Sequence, residues 1–163
     1  MASWVTYTDA AGGYSLSRPA GMTQNVIDGN QTFLFPKNSY FHWPLLDDAR
    51  ITVTVGPSCP AITAGDTGNG PASFSLNGYA FTRTVGTDVG AGQRYLEVAY
   101  DTKANGVCYH VDFLDHGTNG AGFYVDDAAL IKRYDAQHAV DQTAVLSALN
   151  GIVGSFRLLA PAH

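Results

Sequence analysis

Charged side chains are scarce in this chain: they make up 14% of its 163 residues, against roughly a quarter in ordinary soluble domains. The three lysines and six arginines are scattered, and the formal net charge is −5. A basic surface able to neutralise phosphates is therefore missing, which excludes nucleic acid as an expected partner. Long hydrophobic runs are missing too. No stretch approaches the roughly 20 apolar residues that span a bilayer, so no transmembrane segment is expected. Met1-Ala2-Ser3-Trp4 has neither the basic nor the apolar region of a secretory leader. Two readings of the compartment stand: a cytosolic protein, or an exported one whose leader is absent from this sequence.

Cysteine occurs only twice, at Cys59 and Cys108, and no C-x-x-C spacing points to zinc or dithiol redox work. Cys59 is held between Ser58 and Pro60 in a loop, where it packs poorly as a simple hydrophobe. We expect the two cysteines to form a disulfide; the alternative is two reduced thiols, one of them buried on a strand. A cross-link over their 49-residue separation would stabilise by about 3 to 4 kcal/mol on chain-entropy arguments. It also requires an oxidising compartment, which favours export.

What is abundant is glycine, with 18 residues, and hydrophobic side chains, at 45%. This suits one domain, residues 1–163, with a single core and many turns. Ile51, Val53 and Val55 alternate with Thr52 and Thr54, the period of a half-buried antiparallel strand. Phe74 and Leu76, then Asn77-Gly78, then Tyr79 and Phe81 read as a hairpin, because Asn-Gly accommodates the positive φ angles of a type I′ turn. Leu96, Val98 and Tyr100 form a further strand that Lys103-Ala104-Asn105-Gly106 turns back into Val107, Tyr109, Val111 and Phe113. Trp4 to Thr8 and Tyr14 to Ser17 are short N-terminal strands, and Phe33 and Phe35 are expected in the core. Near Asp135 the period changes. Val145, Leu149, Ile152 and Phe156 recur at helical spacing, predicting an amphipathic helix laid on a sheet. Gly151 and Gly154 weaken that helix by about 1 kcal/mol each relative to alanine, and their small size would let it approach the sheet closely.

Taken together, several of these segments resemble PsbP/Mog1-like domains of small bacterial envelope proteins and lipoproteins. The opening Tyr14-Ser15-Leu16-Ser17-Arg18-Pro19-Ala20-Gly21-Met22 is similar to that family's first strand. The hairpin Leu76 to Phe81, the strand Tyr95 to Tyr100 and the segment Gly106 to Val111 look like its central strands. The ending Ala148 to Arg157, with Ser155-Phe156, is similar to its closing helix. The resemblance implies an α+β fold: an α/β/α sandwich with a twisted central antiparallel sheet and a C-terminal amphipathic helix. It does not imply an enzyme or a cofactor, since members of this fold serve as assembly factors or binding modules. This chain lacks a lipobox cysteine, so a lipid anchor would belong to a longer precursor. Fold analogy alone does not assign a role.

The densest polar cluster is His110, Asp112, Asp115 and His116. His110 and Asp112 share one face of a strand, and a turn at Asp115-His116-Gly117 would bring His116 beside them as a two-histidine, one-carboxylate metal site. The simpler reading makes Tyr109, Val111 and Phe113 the core face and the alternate residues a polar face, exposed or under a loop. Asp126-Asp127 either cap a short helical stretch, Ala128 to Tyr134, or hold a hard cation with Asp135; capping is the simpler account. Ser58 lacks the glycine two residues later that a nucleophile elbow needs. The glycine segments 65–70, 86–92 and 117–122 contain no phosphate-loop pattern and read as turns. Asn30-Gln31-Thr32 is a glycosylation triplet. Tyr40, Phe41 and Trp43 form a candidate partner surface, because such an irregular aromatic run is hard to bury whole; the simpler reading is a loop tucked over the sheet edge.

The expectation from sequence is a noncatalytic, exported binding or assembly module of the cell envelope, stapled by Cys59 and Cys108. The alternative is a small metal-binding protein or metal-dependent enzyme using His110, Asp112 and His116. No residue pattern names a partner or an oligomeric state.

Overall fold

The computed structural model describes residues 3–37, 48–62, 65, 70–123 and 126–159. Two antiparallel sheets and one long helix build the domain. The large sheet has seven strands in the order β3-β4-β5-β9-β8-β7-β6: β3 (Thr23–Ile27), β4 (Asn30–Leu34), β5 (Asp48–Gly56), β6 (Ala72–Leu76), β7 (Tyr79–Gly90), β8 (Gln93–Ala104) and β9 (Val107–Thr118). The small sheet joins β1 (Trp4–Asp9), β2 (Tyr14–Pro19) and β10 (Arg157–Leu158), with β2 in the middle. A single helical turn, α1 (Gly120–Phe123), precedes the long helix α2 (Ala128–Ser155).

The hairpins follow from turn chemistry. Asn77 and Gly78 both have positive φ, 55° and 83°, as the two-residue loop between β6 and β7 requires. Asn105-Gly106 does the same between β8 and β9, where Ala104 pairs with Val107. Asp28-Gly29 closes β3 onto β4 in the same way. That last hairpin carries a legible Asp-Gly signal, although its strands lack clean apolar alternation: β3 is exposed throughout.

On one face of the large sheet lie Ile51, Val53, Phe81, Val98, Val111 and Phe113, all nearly fully buried. Helix α2 covers them with Val145, Leu149, Ile152 and Val153. The small sheet closes the rest of this core: Tyr14 stacks on Phe156 at 5.6 Å, and Tyr7 meets Phe33 edge-on at 5.1 Å. Burying large aromatic and aliphatic side chains at about 25 cal/mol per Å² of apolar surface is the dominant stabilising term here.

The sequence expectation of two helical pieces is corrected to one helix of 28 residues. Its first half turns His138 and Asp141 inward, at 5% and 1% exposure, and this polar stretch hides the apolar stripe from a periodicity count. Asp127 is the N-cap: its Oδ1 accepts from the amides of Ala129 and Leu130 at 3.0 and 2.9 Å, satisfying donors the first turn leaves free. Gly86 to Gly90 belong to β7, so only Ala91-Gly92 turns the chain there.

Candidate functional site

The second face of the large sheet is polar. Pairing places its residues in rows across three strands: Thr54, His110 and Asp101; Thr52, Asp112 and Ala99; Arg50, Leu114 and Glu97. All of them except Asp101 and Ala99 line a recess of about 260 Å³, to which Pro60 and Ala61 also contribute. Beside it, Cys59 and Cys108 form a disulfide with a Cα–Cα distance of 5.4 Å. Cys108 sits on β9 opposite Gly56 of β5, so the bond fastens the segment after β5 to the middle of the sheet, next to the recess.

Two linked pairs dominate the recess. The Nδ1 of His110 lies 2.6 Å from Asp101 Oδ1, and His110 is 4% exposed. The carboxyls of Asp112 and Glu97 lie close enough to hydrogen-bond when one of them carries a proton, because an ionised carboxylate only accepts. Burial, and then the neighbouring Glu97, push Asp112 up from 3.8 to about 6, while His110 and Arg50 pull the other way. The Oδ1 of Asp112 is buried without a hydrogen-bond partner among the described residues.

The cluster expected from sequence divides. His110 and Asp112 do share a face and the recess. His116 does not join them, because β9 runs straight on to Thr118 instead of turning at Asp115. At a rise of about 3.3 Å per residue, His116 stands roughly 20 Å along the strand from His110. There it stacks on Tyr95 at 4.3 Å and its Nε2 meets Gln93 Oε1 at 2.8 Å. Asp115 points to the opposite face, under α2, where Gln142 Nε2 donates to it at 2.9 Å and His138 lies 3.6 Å away. Among the described residues, the grouping of potential ligand atoms that lies close together is Cys59, Asp101 and Cys108, and its two sulfurs are bonded to each other.

Other candidates settle into structural positions. Asp135 accepts from the Gly120 amide at 3.0 Å and lies 3.5 Å from Arg94. Ser58 is exposed. In the glycosylation triplet, Thr32 is 1% exposed and lies 3.3 Å from Thr52, hydroxyl to hydroxyl. Tyr40, Phe41 and Trp43 lie outside the described residues. The residues that sequence reasoning missed are Arg50, Glu97 and Asp101. Each is a single charged residue between uncharged neighbours in an alternating strand, and only the register between strands brings them to His110 and Asp112.

Compared by sequence, the chain matches no family model and no curated protein. Compared by structure, it is similar to the Ran-binding protein Mog1p of Saccharomyces cerevisiae, with a TM-score of 0.58 at 10% identity, over 98% of this chain and 97% of that one. It is also similar to a Bacteroides thetaiotaomicron VPI-5482 protein, with a TM-score of 0.55 at 8% identity over 97% of this chain. This chain spans about half of that protein, 49% of its length. The domain thus has the PsbP/Mog1-like α+β fold, with an antiparallel sheet and a C-terminal helix, as the sequence resemblance implied. No helix among the described residues is long and apolar enough to cross a membrane.

Proposed function

We propose that this chain is a single noncatalytic binding module that works in an oxidising compartment, in or near the cell envelope, and that the polar recess on β5, β8 and β9 is its recognition surface. The observation that carries this reading is the engagement of the ionisable groups with one another. His110 is held by Asp101, and Asp112 lies beside Glu97. Such groups present a fixed pattern of donors and acceptors. The disulfide beside them holds the rim in place and accords with export. Mog1p, which shares the fold, is a Ran-binding protein, a precedent for binding by this architecture.

Photo-crosslinking amino acids introduced at Thr54 and Pro60, with Val140 on the exposed side of α2 as control, test the proposal in cells separated into envelope and cytosolic fractions. A discrete adduct from the recess positions, confined to the envelope fraction, is expected. Adducts that form equally well from Val140, or a protein found reduced in the cytosol, would overturn it.

A further inference from the structure

A second recess lies on the other face, where the β6–β7 hairpin meets the last turns of α2. Its volume is about 410 Å³, within the range of small-molecule sites. Phe74, Leu76 and Val153 supply apolar walls, and Arg83 and Tyr100 supply the polar groups. The Nε of Arg83 donates to the Tyr100 hydroxyl at 3.2 Å, and that hydroxyl donates to Asn150 Oδ1 at 3.2 Å. The guanidinium also lies over the Tyr100 ring, 5.9 Å from its centre. Arg83 is therefore fixed through one edge, leaving its terminal nitrogens to donate elsewhere. Among the described residues no carboxylate lies within ion-pair distance of it. A positioned, uncompensated arginine against apolar walls is an unusual outlay in a chain with net charge −5.

The floor of this recess is held open. Asn77, in the hairpin turn, donates to the carbonyls of Gly154 and Phe156 at 3.1 and 3.0 Å, clamping the hairpin to the helix end. Arg157 also donates to the Gly154 carbonyl at 3.1 Å, so part of the negative end of the helix is already covered. A Cβ added at Gly154 would meet nothing within 4 Å, and Gly154 has no positive φ. Neither packing nor backbone geometry demands glycine there, and its missing side chain leaves room along the wall.

We propose that this recess binds a small molecule with one carboxylate and an apolar body, the carboxylate on Arg83 and the body against Phe74, Leu76 and Val153. The planar guanidinium suits a carboxylate, whereas an amine head would be repelled and an uncharged one would forgo the charge-assisted bonds. The site is separate from the polar recess, and its test does not depend on that reading.

Titrating isotope-labelled protein with octanoate, octanol and octylamine, and following resonances of Phe74, Tyr100 and Val153, gives the test. Octanoate is expected to shift them, with octanol weaker and octylamine inactive. Arg83→Gln is expected to weaken octanoate about tenfold or more, and Gly154→Leu to abolish binding with the native spectrum retained. Octanoate that leaves these resonances unmoved at millimolar concentration, octylamine or octanol binding as tightly, or binding untouched by Gly154→Leu would each overturn the proposal. The head-group comparison and Gly154→Leu decide the matter even if Arg83→Gln fails to fold.

Discussion

His110 and Asp101 stand directly opposite each other on β9 and β8, with the imidazole Nδ1 2.6 Å from the carboxylate Oδ1. Their side chains are 5% and 23% exposed, so this contact is shielded from water more than a surface ion pair is. Replacing either residue by alanine is expected to cost about 1 to 3 kcal/mol, since the remaining partner loses its hydrogen bond. A double-mutant cycle read by urea unfolding should give a coupling of about 1 kcal/mol. Strictly additive losses would show that the pair contributes nothing as a pair.

Asp112 predicts an unusual pH dependence. Its folded-state pKa is raised to about 6 from 3.8, through burial first and the Glu97 carboxyl second. Between these values the folded protein binds more protons here than the unfolded chain, so this residue's contribution to stability falls as pH rises from about 4 to 6. The full shift corresponds to at most about 3 kcal/mol, and partial solvent access reduces it. Unfolding curves of wild type and Asp112→Asn at pH 4.5 and 7.5 should differ in slope with pH, the variant gaining relative stability at pH 7.5. Parallel pH profiles would rule out the perturbed carboxyl.

The disulfide is expected to contribute about 4 kcal/mol, given a closed loop of about 50 residues. Reduction, or the double variant Cys59→Ser with Cys108→Ser, should lower the urea midpoint accordingly while preserving the sheet signal in circular dichroism. An unchanged midpoint would mean that the cross-link adds no constraint to the unfolded chain.

Metal binding has a direct check. With His116 about 20 Å along β9 from His110, zinc or another divalent ion is expected to leave the melting temperature of the wild type unchanged. A rise in Tm with zinc that is lost in both His110→Ala and Asp112→Asn would return these two residues to a ligand role.

How much of this was legible in the sequence depended on whether the signal was local. The Asn77-Gly78 and Asn105-Gly106 turns were readable because two adjacent residues supply the whole conformational requirement. The core face of β9, Tyr109, Val111 and Phe113, was readable because a strand alternates strictly. The polar recess was half readable. His110 and Asp112 are neighbours on one strand, but Glu97, Asp101 and Arg50 reach them only through the pairing of β8 and β5 with β9, and register is a long-range property. His116 was misplaced for a related reason. Gly117 looked like a turn residue, whereas pairing with Arg94 keeps it in the strand. The start of α2 was obscured because His138 and Asp141 face inward there, His138 lying 3.6 Å from Asp115 and Asp141 accepting from Gln137 on the same helix, so polar residues stand where an apolar stripe would show.

Gly151 and Gly154 were expected to serve one purpose, a close approach of helix to sheet, and the structure separates them. A Cβ at Gly151 would lie 2.7 Å from the Trp4 ring of the small sheet, whereas one at Gly154 would meet nothing within 4 Å. Gly154→Ala should therefore show the ordinary helix-propensity gain of about 0.5 to 1 kcal/mol. Gly151→Ala has the same propensity gain but must displace Trp4, which is 45% exposed and can swing outward at the cost of its contact with the helix. Its net effect is expected to be near zero or destabilising by about 1 kcal/mol. Paired unfolding curves, with tryptophan emission recorded on the same samples, separate the two: a shift of emission only in Gly151→Ala is expected. Equal gains from both substitutions, with no change in emission, would show that Trp4 does not pack on Gly151 in solution.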